Sequence, residues 1–99
     1  MLAAFSVAPS GSAAEDGSVA EAVAAAVQVV KESGLDWELT SMFTTLEGEW
    51  DEVMDVIKRA TDAVLAVSPR ASLVIKCDIR PGYTGQLAAK VERVTRLLD

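Results

Sequence analysis

Between Trp37 and Ala60 the chain reads as two successive strands and then an abrupt helix start. Asp36–Thr40 and Phe43–Glu47 read as strands separated by only Ser41 and Met42, close enough for a tight hairpin. Gly48 breaks the second strand. Glu49, Asp51 and Glu52 then open a helix at the end where the dipole favours negative charge, and Trp50, Val53, Met54, Ile57, Ala60, Val64 and Leu65 mark an apolar stripe.

The flanking segments follow the same logic. Leu2–Ala8 is a short apolar run ended by Pro9 and reads as a largely buried strand. Ser10–Gly17 is small and polar, a loop. Ser18 and Glu21 have the spacing of a capping box, with Val19, Val23, Val27 and Val30 as the buried stripe of a helix that Gly34 stops. Ser68–Pro69 ends the second helix. In Ala71–Ile79, Leu73, Ile75, Cys77 and Ile79 share one face of a strand, and Ser72, Val74, Lys76 and Asp78 the other. After a Pro81–Gly85 loop, Gln86–Leu98 reads as a last helix carrying Leu87, Val91, Val94 and Leu98 on one side.

The order β-α-β-β-α-β plus a helix predicts an α+β fold: a ferredoxin-like sandwich with two helices on one face of a four-stranded antiparallel sheet and a C-terminal helix. At 99 residues it is expected to be one domain, residues 1–99. The other sheet face needs a cover. The chain is 51% hydrophobic, high for a domain with so much surface per residue, so the C-terminal helix or a partner subunit is expected there.

Composition removes several functions. Fifteen acidic and nine basic residues leave a net charge of −6, which disfavours nucleic acid and is compatible with a cationic ligand. There is no histidine, so Ser–His and Cys–His catalysis and most zinc sites are excluded. No nucleophile–base pair, P-loop or dinucleotide fingerprint is visible, and neither an enzyme nor a cofactor is expected. Cys77 is the single cysteine and reads as a small core residue. The N-terminal apolar run lacks the basic residues of a secretion signal, and no segment is long enough to span a membrane. A cytoplasmic protein is expected.

The residues that could carry chemistry cluster at the hairpin. Thr44, Thr45, Glu47 and Glu49 sit among Met42, Phe43 and Trp50, the mixture of polar and large apolar groups that a small-molecule site needs. Alternation puts Thr44 and Leu46 on one face and Thr45 and Glu47 on the other. Glu47 in a central strand is either a ligand's acceptor or half of an ion pair with Lys76 or Arg80. Lys76 and Asp78 are either a solvated or interface face, or paired charges near a ligand. Trp50 is either a core anchor or a wall stacking on a ring. Ser6 supplies a further hydroxyl, as do Ser10 and Ser12 beside Gly11, although small loop residues are usually turn formers. Glu49, Asp51, Glu52 and Asp55 read as a helix start and solvated face, not as a metal site.

These residues resemble the thiamine-binding protein family. The match runs through Ser6–Pro9, Gly11–Ser12, Ser18–Val19 and Glu32–Leu35. Its most specific part is Leu39, Thr40, Met42, Thr44 and Glu47–Met54, followed by Ile75, Lys76, Asp78, Arg80 and Lys90–Glu92. Ser41 stands where the family has Pro, Phe43 where it has Gly, and Thr45 where an aliphatic residue is usual. The resemblance implies binding of thiamine, or its hydroxymethylpyrimidine part, without chemistry on it, by a homodimer or homotetramer. Glu47 would accept from the ligand's amine and Thr44 or Ser6 would meet ring nitrogens. Met42, Phe43 and Trp50 would pack on the rings. The alternative is an oligomeric interaction protein whose polar patch is a subunit interface.

Overall fold

Strand β1 (Leu2–Pro9) buries Ala3, Phe5 and Val7 and turns Leu2, Ala4, Ser6 and Ala8 to the opposite face. That alternation organises the rest of the computed structural model, which describes residues 1–10 and 16–98. The elements follow as α1 (Asp16–Glu32), β2 (Asp36–Leu39), β3 (Thr44–Glu47), α2 (Trp50–Leu65), β4 (Ala71–Asp78) and α3 (Gln86–Thr95). The sheet order is β2-β3-β1-β4, with every pair antiparallel. This is the expected ferredoxin-like arrangement, with β1 and β3 central.

Register fixes what each face carries. Ala3 lies between Leu46 and Cys77, and Phe5 between Thr44 and Ile75. These rows face α1 and α2. The open face carries Asp36, Glu47, Leu2 and Asp78 in one row, and Glu38, Thr45, Ala4 and Lys76 in the next.

The helices pack on the sheet and on each other, but not by every residue expected. In α1 the buried positions are Ala22, Ala26 and Val30, while Val23 and Val27 are half-exposed and Val19 is exposed. The alanines share the buried cluster with Ala60 and Val64 of α2, and their small side chains allow close packing; the bulkier valines lie at the flank. Helix α2 buries Val53, Val56, Ile57, Ala60 and Val64. Trp50 and Leu65 are exposed at its ends, so Trp50 is not a core anchor. Trp37 instead lies opposite Leu46 and packs against the core, as do Ile75 and Cys77.

Local chemistry sets the boundaries. Ser18 lies inside α1, which begins at Asp16, so it is not the cap that its spacing suggested. Capping-box geometry occurs at α2, where Glu52 accepts the Glu49 amide proton at 3.0 Å. Gly34 takes φ +83°, the left-handed conformation that ends a helix without a Cβ penalty. The hairpin turn is closed by Thr40, whose amide and hydroxyl both donate to the Phe43 carbonyl at 2.9 Å. Gly11 and Ser12 lie outside the described residues. No helix among those described is long and apolar enough to cross a membrane.

Candidate functional site

The hairpin residues divide between two places. Thr44 is 6% exposed on the helix-facing side. Together with Ser6, Met42 and Phe43 it lines a small cleft of about 210 Å³ between the hairpin turn and α1. Glu47 points to the open face at the other end of β3, roughly 10 Å further along the strand at 3.3 Å per residue. One small ligand within a single chain cannot engage both. Thr45 and Lys76 share the second open-face row and line neither cleft.

Glu47 and Trp50 come together at a larger cleft of about 470 Å³. It lies between the β3–α2 turn (Gly48–Trp50) and the loop from Ile79 to Thr84. Gly48 closes its floor: the Met1 ammonium donates to the Gly48 carbonyl at 2.7 Å, and the Gly48 amide donates to the Met1 carbonyl at 3.1 Å. A Cβ here would press within 3.3 Å of Leu35 and Glu52, which accounts for a glycine between two glutamates. Trp50 and Tyr83 present half-open rings, 53% and 47% exposed. The Arg80 guanidinium stacks 3.5 Å from the Tyr83 centroid, a cation–π contact that orders the loop.

Glu47 makes no ion pair with Lys76 or Arg80; its observed partners are backbone amides. The Gln86 amide donates to Oε2 at 2.9 Å and the Leu87 amide to Oε1 at 3.1 Å. Both amides belong to the first turn of α3 and have no intrahelical acceptor. The residue preceding that turn is Gly85, at φ +68° and without a side chain to cap them. A carboxylate from β3 does so instead, and its charge also suits the helix dipole.

Asp78, in the same open-face row, is engaged by Lys90 of α3. The hydrogen bond from Lys90, with its charge, holds the Asp78 carboxyl below the usual aspartate range. A lowered pKa contributes stability that is fully present above the unfolded value and lost as pH falls through the folded one. The α3 contact should therefore weaken as pH falls from the ordinary aspartate range through the lower folded value. Methyl resonances of Val91 and Val94 should move over that range while that of Leu46 does not, and Asp78→Asn should abolish the α3-specific step.

Two acidic residues of α2 form local pairs. Asp55 pairs with Arg59 at 2.9 Å and Asp62 with Lys58 at 3.2 Å, both one turn apart and exposed. No group of three or more potential metal ligands converges among the described residues.

Two features of this cleft were missed in the sequence. The Ile79–Thr84 loop carries half of its lining, yet Pro81 and Gly82 read only as turn formers. Arg80 and Tyr83 flanking such a turn are the signal that could have exposed it. The second is the capping of α3 by Glu47, signalled by a glycine at a helix start and a carboxylate in a central strand.

The thiamine-binding protein family model matches residues 3–95. This chain belongs to the thiamine-binding protein family. A UPF0045 protein of Mycobacterium bovis is 48% identical over 99 residues, covering 99% of this chain and 94% of its own. A UPF0045 protein of Methanothermobacter thermautotrophicus is 40% identical over 79 residues, covering 78% and 80%. Among solved structures, a Methanocaldococcus jannaschii protein aligns with a TM-score of 0.83 at 30% identity, over 95% of this chain and 94% of its own. A Thermotoga maritima protein, assigned provisionally to thiamine biosynthesis or salvage, aligns with a TM-score of 0.78 at 28% identity, over 94% and 96%. The thiamine-binding family membership and a cleft that joins aromatic rings to a carboxylate support a small-molecule binding role.

Proposed function

We propose that this protein binds thiamine or its hydroxymethylpyrimidine moiety without catalysing a reaction on it, in the cleft between the β3–α2 turn and the Ile79–Thr84 loop. The observation that carries this reading is the meeting of Glu47, Trp50 and Tyr83 at one cleft in a chain of this family. Thiamine offers an aminopyrimidine that can donate to a carboxylate and a thiazolium cation that an aromatic face attracts. A carboxylate and two half-exposed rings answer both needs.

The working form in this reading is a cytoplasmic homodimer or homotetramer. Its support is the exposed apolar surface at the C-terminal end, where Val91 and Val94 of α3 and Leu97 and Leu98 just beyond it are exposed in a single chain. The same surface, and the use of Glu47 as a cap, favour the competing reading of an interaction protein without a ligand.

Titration calorimetry with thiamine and with hydroxymethylpyrimidine separates the two. Saturable binding of one ligand per chain is expected, accompanied by a change in tryptophan fluorescence. Trp50→Ala should weaken binding by about 0.5–2 kcal/mol, roughly 2- to 30-fold at 1.4 kcal/mol per decade. Its unfolding midpoint should stay close to the parent's, because the ring is half-exposed. Trp50→Ala binding as tightly as the parent would remove that ring from the site.

A further inference from the structure

The part of the molecule least explained by packing is α3, none of whose residues is buried. It is tethered to the sheet at two points of one row: Glu47, through the Gln86 and Leu87 amides, and Asp78, through Lys90. The first tether is also a wall of the large cleft. An ionised carboxylate has about four lone-pair sites. The two amides occupy one on each oxygen, leaving acceptor capacity on the same group. The amides thereby hold Glu47 in one orientation beside the cleft.

Resting on the thiamine-class reading above, we infer that α3 is the positioning element of the ligand site: its first-turn amides orient the Glu47 carboxylate, so that docking of α3 and binding of an amine-bearing heteroaromatic cation strengthen each other. With α3 undocked, Glu47 is free to rotate and hydrate, and the ligand must order it again. Coupling of this kind is reciprocal. A bound ligand that fixes Glu47 also holds the start of α3.

The second tether provides the test because Lys90 lies outside the large cleft. Lys90→Ala loosens α3 and leaves the lining of the large cleft in place; Lys90 itself lines a smaller adjoining cleft with Glu47, Arg80 and Tyr83. The substitution also makes an acidic protein more acidic, so long-range electrostatics alone would strengthen binding of a cation. The coupling predicts the opposite sign.

The experiment is thiamine titration of the full chain and of Lys90→Ala, with amide hydrogen exchange across Gln86–Thr95 measured with and without saturating thiamine. The expected result is slower exchange in α3 when thiamine is bound, and a measurable loss of affinity in Lys90→Ala of up to about fivefold, the most that removing an exposed ion pair can transmit. Thiamine binding to both proteins with equal affinity and no change in α3 exchange would overturn the coupling and leave the ligand reading intact. Failure of the parent to bind thiamine would overturn the ligand reading and the coupling with it.

Discussion

Leu46→Ala should be among the most damaging substitutions in the core, lowering stability by about 2–5 kcal/mol. Leu46 is fully buried. It stands on central β3 between Ala3 and Trp37 in register, and the residues around it have little slack with which to fill a void. Against a typical total of about 5–15 kcal/mol, such a loss is a large part of what holds the domain. Urea unfolding should show a lower midpoint with an unchanged slope. Val91→Ala provides the contrast. Its side chain is exposed on α3, so in the single chain it should change stability by less than about 0.5 kcal/mol. Equal effects from the two would contradict the burial described.

Glu47→Gln should act on both the ligand and α3. Gln retains the shape and one acceptor oxygen but replaces the other with an NH₂ group, which would face an amide of α3 donor to donor. Truncating one partner of a charge-assisted, desolvated contact costs about 2–5 kcal/mol, or roughly 30- to 4000-fold in thiamine affinity. Hydrogen exchange in the first turn of α3 should quicken in the same variant. Sedimentation should give the parent's mass, since Glu47 bonds within its own chain. Unchanged affinity beside a loosened α3 would reduce Glu47 to a helix cap.

The element order was legible because each period is written in runs of apolar residues that breakers terminate: Pro9 after β1, Gly34 after α1, Gly48 after β3 and Pro69 after α2. The alternation of β3 is equally plain, and it places Thr44 and Glu47 on opposite faces. Packing depth was harder to read. Size drew attention to Val19, Val23 and Val27 in α1, but Ala22 and Ala26 share the buried cluster with α2. Trp50 shares the apolar period of α2, yet as the first residue of the helix it lies beyond the sheet's cover.

The site was half legible. Glu47 stood out because propensity disfavours a carboxylate in a central strand. Its partners did not, because they are backbone amides 39 and 40 residues away and carry no side-chain signature. Asp78 and Lys90 are 12 residues apart and meet only because α3 folds back over the row that contains Leu2. The Arg80–Tyr83 stack was hidden inside a turn whose composition already had a sufficient explanation.

Calorimetric titration of the full chain with thiamine tests the central claim most directly. The account predicts saturable binding of one thiamine per chain, lost or strongly weakened in Glu47→Gln. No heat of binding from the parent at thiamine concentrations up to the millimolar range, or equal binding by parent and Glu47→Gln, would contradict it.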